Sequence, residues 1–154
     1  MKKYASLIFG GSKGIGSEIK KLLMIRGDLV ITCSRNVKPS PVDIKSTIDN
    51  FDIRKLKYKF DNLIFAHRYR GEDYQEEYKI MVDSVDKLVS KSNEFLNPNA
   101  SIVILGSNAS NYVFHEQNST YHSTRGALVS LTKYYAVKLG SYGIRCNLIN
   151  PGTI

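Results

Sequence analysis

Between an apolar run at Tyr4 to Phe9 and the helically spaced residues Ile15, Ile19, Leu22 and Leu23 stands Phe9-Gly10-Gly11-Ser12-Lys13-Gly14-Ile15-Gly16. A strand that passes through glycines directly into a helix leaves few folds open. Glycine has no Cβ, so positions 10, 14 and 16 let the backbone turn sharply. They also bring its N–H groups against a diphosphate and leave room for the helix to pack on the sheet. The helix N-terminus then faces the anion. Gly10, Ser12, Lys13, Gly14, Ile15 and Gly16 are therefore the candidate phosphate-binding residues. A plain glycine-rich turn is the bland alternative, which the strand-before, helix-after setting disfavours.

The rest of the chain keeps alternating. Leu29 to Cys33 reads as a second strand, Asn36 to Pro41 as a turn, Val42 to Ile44 as a short third strand and Ser46 to Tyr58 as a basic helix. Asn62 to Ala66 is a buried strand. Tyr78, Met81, Val82, Val85, Leu88 and Val89 form a helical stripe that ends at Asn97-Pro98-Asn99. Ser101 to Leu105 is a strand, a loop runs to about Ser119, a helix carries Leu128, Leu131, Tyr135 and Leu139, and Arg145 to Ile149 is the last strand. Strands alternating with helices of this length predict parallel pairing through right-handed crossovers. The fold class is α/β, a Rossmann-type doubly wound parallel sheet in three α/β/α layers. With no repeat, low-complexity tract or linker, residues 1–154 read as a single dinucleotide-binding domain.

The end of the second strand bears on the choice of nucleotide, because NAD sites carry an acid there for the ribose 2′-hydroxyl. This chain reads Cys33-Ser34-Arg35-Asn36 instead. Arg35 offers a forked cation to a 2′-phosphate, Ser34 a hydroxyl, and Lys13 a second charge, so NADP(H) is expected in preference to NAD(H). The alternative is that Lys13 and Arg35 are solvated surface cations.

The formal charge of +8 raises the question of nucleic acid. In the densest basic run, Arg54-Lys55-Leu56-Lys57-Tyr58-Lys59, the apolar Ile53, Leu56 and Phe60 can face a core while the cations face water. No nucleic-acid motif accompanies it, so no nucleic-acid partner is expected. Met1-Lys2-Lys3 and the following apolar run are too short for a secretory signal, and no stretch is long enough to cross a membrane. Cys33 and Cys146 lie far apart in strand-like segments and read as buried thiols of a reducing cytoplasm. His115 and His122 show no ligand spacing, so no metal site is expected.

Three segments in order carry a family resemblance: the glycine turn, Tyr121-His122-Ser123-Thr124-Arg125-Gly126-Ala127-Leu128, and Gly143-Ile144-Arg145-Cys146-Asn147-Leu148-Ile149-Asn150-Pro151-Gly152. Together they resemble the short-chain dehydrogenase/reductase family over essentially the whole chain. The resemblance implies an oxidoreductase that moves a hydride between a nicotinamide and the carbonyl or alcohol carbon of a small molecule. It implies that Tyr121 exchanges a proton with the substrate oxygen while Ser107, after Ile102-Val103-Ile104-Leu105-Gly106, places that oxygen. A free phenol titrates near ~10, and the family sets a lysine four residues later to favour the phenolate.

Here that lysine is Arg125, a planar, permanently charged fork in place of an ammonium. The departure raises a second reading, a nucleotide-binding protein with impaired turnover that serves as partner subunit or sensor. The family's helix asparagine falls near Asp83, an acid that could pair with Arg125. The family's Asn-Asn-Ala-Gly is Phe65-Ala66-His67-Arg68, which puts Ala66 and His67 beside the cofactor with larger side chains around them. His67 is expected to line that pocket or to be held in structure, and Pro151-Gly152 matches a turn near the nicotinamide. Family members continue with a substrate loop, a helix and a last strand, so the chain is expected to be C-terminally incomplete. The stripes at 78–89 and 128–139 resemble those that pair subunits, implying a homodimer or homotetramer unless the chain's own sheet covers them.

Overall fold

In the computed structural model, which describes residues 3–152, the glycine turn sits where six parallel strands change direction of order. The strands are β1 (Ala5–Phe9), β2 (Leu29–Ser34), β3 (Asp43–Lys45), β4 (Phe60–Phe65), β5 (Leu96–Leu105) and β6 (Arg145–Ile149). They are ordered β3-β2-β1-β4-β5-β6, and every neighbouring pair is parallel. The chain leaves β1 to build leftward and returns after β3 to build rightward. A crevice therefore opens above the carboxyl ends of β1 and β4, the place where such sheets bind ligands.

Register explains which face is covered. Leu7, Ile31, Leu63, Ile102 and Cys146 lie in one row, and Phe9, Cys33, Phe65 and Ile104 begin the next. These side chains are buried under a broken helix over 74–95 and a long helix α5 (Ser119–Lys138). The broken helix comprises α2 (Tyr74–Tyr78), a wide π turn at Lys79–Asp83, α3 (Ser84–Ser90) and α4 (Ser92–Phe95). Phe9 stacks on Phe65 with ring centres 5.4 Å apart. On the opposite face Ile8, Val30 and Ile64 make a smaller cluster with Ile19 and Leu23 of α1 (Gly14–Ile25). The three-layer Rossmann-type architecture expected from the alternating pattern is the architecture found.

Two expectations need correction. The basic helix over 46–58 is absent: only a single 3-10 turn forms at Ile53–Lys55, and β3 reaches β4 through 46–59 without an α-helix. The cause lies in the short polar side chains. Asp52 Oδ1 accepts from the Arg54 backbone N–H at 3.0 Å, Asn50 donates to Thr47 at 2.9 Å, and Asp49 pairs with Lys79 at 2.9 Å. Such local bonds offer the backbone an alternative to the helix. The segment instead turns Ile48 and Phe51 inward, with Phe51 edge-on to Phe9 at 4.9 Å, while Lys55, Lys57 and Lys59 stay exposed. The second correction concerns β5, which begins at Leu96 rather than Ser101. It bulges at 97–100, where Asn97 donates to Asp61 and Asn99 takes a positive φ of 64°.

The stripes considered for subunit pairing are used within the chain. Met81, Val85, Leu88, Val89, Leu128, Tyr135 and Leu139 are all buried against its own sheet. Among the described residues no helix is long and apolar enough to cross a membrane. The loop over 46–59 makes the sharpest stability prediction. Phe51→Ala should cost about 3 kcal/mol in a denaturant titration, the range for a buried aromatic, whereas Lys57→Ala should stay within about 0.5 kcal/mol. Equal, small effects would return the segment to solvent.

Candidate functional site

Above the carboxyl ends of β1, β2, β4 and β5 lies a cleft of about 1060 Å³. Its first wall is the glycine turn. Gly10 has φ 86°, and a Cβ there would fall 2.5 Å from the His67 backbone, so only glycine lets β1 leave this close to β4. A Cβ on Gly16 would fall 2.2 Å from the Gly10 carbonyl oxygen, so only glycine lets α1 begin this close to the sheet. Gly16 is buried behind the turn, while Ser12, Lys13, Gly14 and Ile15 line the cleft. No side chain caps α1, and its first turn holds no acid, so its leading N–H groups are available to an anion.

Ser34 and Arg35 line the same cleft at the end of β2, and Ser46, Thr47 and Ile48 close that side. Ala66, His67, Pro151 and Gly152 line the region toward β5 and β6. Two buried polar atoms on these walls have no partner among the described residues, Ser34 Oγ and His67 Nδ1. A buried hydroxyl and a buried ring nitrogen left without bonds are costly unless a ligand or water meets them. His67 Nε2 stands 3.1 Å from the Ile80 carbonyl oxygen, in the wide turn. Burial and the nearby Arg125 charge pull the ring's pKa down to about 4 against the opposing pull of that carbonyl, which keeps the imidazole neutral. Orphaned polar atoms, a backbone cradle that side chains would fill and an uncapped helix start all fit a nicotinamide dinucleotide.

The remaining wall holds the candidate catalytic residues. Asn118 caps α5 by accepting from the Tyr121 N–H at 2.8 Å, which fixes the first turn of the helix that presents Tyr121 and Arg125 four residues apart on one face. The Arg125 guanidinium lies 4.2 Å from the centre of the Tyr121 ring. Burial raises the phenol's pKa, but the Ser107 hydroxyl and the Arg125 charge outweigh it, and the net shift is downward. Ser107 leads from β5 into a 3-10 turn at Asn108–Ser110, and its hydroxyl also accepts from the Ala109 N–H at 3.2 Å. The cleft thus gathers Ser107, Tyr121 and Arg125 with the glycine turn, Ser34, Arg35, Ala66, His67, Pro151 and Gly152.

Asp83 is not among them. It is exposed, six residues and a wide turn beyond the acid that does meet Arg125. That acid is Glu77 of α2, which sequence reasoning passed over. Its Oε1 lies 3.8 Å from Arg125 Nη1, and both side chains are almost fully buried. Thr124 Oγ1 stands between them, accepting from Arg125 at 3.0 Å and lying 3.4 Å from the Glu77 carboxylate. Burial lowers the Arg125 pKa, yet a guanidinium starts so high that it keeps its charge. Glu77 could have been found as an acid four residues before Met81, on the inward stripe of its helix. Among the described residues no group of three metal-ligating side chains comes together.

Removing one member of a buried pair leaves the other uncompensated, which costs about 3–5 kcal/mol. Glu77→Gln should therefore destabilise the protein by about 3 kcal/mol in chemical denaturation, and Glu77→Gln combined with Arg125→Met should recover most of it. Two independent, additive losses would show that the residues do not act as a pair.

The family model described as enoyl-(acyl carrier protein) reductase matches residues 60–154. The vibriobactin-specific 2,3-dihydro-2,3-dihydroxybenzoate dehydrogenase of Vibrio cholerae is 43% identical over 53 residues, 34% of this chain and 20% of that enzyme. A short-chain dehydrogenase family protein from Francisella tularensis superposes with a TM-score of 0.85 at 25% identity, over 99% of this chain and 70% of that one. A Brucella ovis oxidoreductase of the same family, solved with a partially ordered NAD, superposes with a TM-score of 0.82 at 22% identity, over 99% and 85%. With its matched segment, parallel sheet and glycine turn, this chain belongs to the short-chain dehydrogenase/reductase family.

Proposed function

We propose that this chain is the dinucleotide-binding domain, residues 1–154, of an NADP(H)-dependent oxidoreductase acting on a small carbonyl or alcohol. The observation that carries the reading is Tyr121, a phenol whose pKa is lowered by Ser107 and Arg125 in the cleft that also holds the glycine turn. Gly10, Gly14 and the leading N–H groups of α1 would hold the pyrophosphate. Lys13, Ser34 and Arg35 would hold a ribose 2′-phosphate, and the unpartnered Ser34 hydroxyl supports that placement. Ala66, His67, Pro151 and Gly152 would flank the nicotinamide.

A reduced nicotinamide held beside Ala66, His67, Pro151 and Gly152 would supply the hydride, one hydrogen with two electrons, for a carbonyl carbon. Tyr121 Oη gives its proton to the carbonyl oxygen, and Ser107 Oγ donates a hydrogen bond to the same oxygen. The phenolate left behind is stabilised by Arg125. Because a guanidinium does not give up its proton, Arg125 acts by charge alone, and Tyr121 is reprotonated from solvent in the open cleft. Alcohol oxidation runs the same transfers in reverse. Placement in a reducing cytoplasm is supported by Cys33 and Cys146, free buried thiols that burial pushes up to about 12 and about 11. Association as a homodimer or homotetramer would use exposed residues of α5 such as Tyr134 and Val137, since the inward stripes are already covered.

One observation favours the second reading, a nucleotide-binding subunit or sensor without turnover: Arg125 is tied back to Glu77 and buried, where it cannot swing freely to a ribose. Arg125→Lys separates the two. A large gain from no activity supports the sensor, and little change or a loss supports a working arginine site. The cofactor argument is tested by titrating the protein with NADPH and NADH under fluorescence. NADPH should bind tighter, Arg35→Ala should erase the preference, and Tyr121→Phe should bind NADPH normally while turnover falls about 100-fold or more. Binding of neither nucleotide would overturn the proposal.

A further inference from the structure

The cleft wall beside Tyr121 carries more positive charge than the protein balances there. Arg68 leaves the end of β4 directly after His67, is exposed, and sets its guanidinium carbon 5.6 Å from the centre of the Tyr121 ring. Arg125 covers the same ring at 4.2 Å. Arg125 has its counter-ion in Glu77, but among the described residues neither Arg68 nor Arg70 forms an ion pair with a carboxylate. The charge of Arg68 instead opposes that of Arg125. Both Arg68 and Arg70 line the cleft, where the acids are Glu18, already paired with Lys21, and Glu116. Cations converging on one phenol repel each other until an anion joins them. A guanidinium fork matches the two oxygens of a carboxylate, and the open cleft leaves room for one at this point.

We infer that the substrate is a small oxo or hydroxy acid, whose carboxylate is held by Arg68, with Arg70 adding to the local field, so that its carbonyl or carbinol oxygen meets Tyr121. This rests on the oxidoreductase reading and adds the substrate class to it. The other anion that could satisfy Arg68 is a phosphate of the cofactor. The position of Arg68 over the Tyr121 ring favours the substrate.

The test compares acids with their neutral esters. Pyruvate and benzoylformate, with their methyl esters, are titrated calorimetrically into protein saturated with the oxidised nicotinamide nucleotide it binds, for the wild type, Arg68→Gln and Arg70→Gln. A charge-assisted bond predicts that at least one acid binds about tenfold or more tighter than its ester. Arg68→Gln should bring the two within about twofold while nucleotide affinity stays within about twofold. Esters that bind as well as acids, or acids that fail to bind at all, overturn the inference. So does an Arg68→Gln variant that loses nucleotide affinity, because the arginine then serves the cofactor. If the wild type binds no nucleotide, the oxidoreductase reading falls separately, and the same acid-over-ester comparison on the free protein still decides the role of Arg68.

Discussion

Backbone contact at the switch point governs this molecule. β1, β4 and α1 meet at Gly10 and Gly16, where a single added carbon would lie 2.5 Å from the His67 backbone or 2.2 Å from the Gly10 carbonyl oxygen. That closeness aims the uncapped start of α1 into the crevice and fixes the end of β4 beside it. His67 is thereby placed where its Nε2 can meet the Ile80 carbonyl, and Arg68 where its side chain can reach Tyr121. The start of α1 and the geometry of the site thus both rest on one packed turn.

The electrostatics of the site derive from burying Arg125. A guanidinium this deeply enclosed needs an anion, and Glu77, bridged by Thr124, supplies it from the neighbouring helix. The pair contributes orientation more than net stability, since two charges lose hydration to form it. Its consequence falls on Tyr121, which sits against the charge and next to the Ser107 hydroxyl. A neutral His67 adds no further charge, and the cations beside the Tyr121 ring are Arg125 and Arg68.

Much of the fold and site is legible in the residues. Apolar runs alternating with helically spaced stripes locate all six strands and the two long helical regions, because burial on a parallel sheet imposes those periods. The glycine spacing locates the cleft, and the segments around Ser107 and Tyr121 locate its other wall. The 46–59 segment misleads because its apolar spacing also suits an irregular loop, and only the side-chain bonds of Thr47, Asn50 and Asp52 decide between them. Distance along the chain from the strand points to Asp83, which lies exposed and outside the cleft lining. The π turn at Lys79–Asp83 shifts the phase, and Glu77, one turn earlier on the buried stripe, holds the position that matters. A wide turn depends on tertiary contacts, here His67 with Ile80, that no local pattern announces.

The central claim is that Tyr121 is a proton-exchanging phenol tuned by its neighbours, and it is tested most directly by its own ionisation. The phenolate absorbance of the wild type is followed against pH, and the profile of Tyr121→Phe is subtracted to isolate one of the ten tyrosines. The account predicts a difference profile of a single phenol ionising below the ordinary tyrosine value of about 10, because Ser107 and Arg125 outweigh its burial. A difference profile at or above that value would contradict the account.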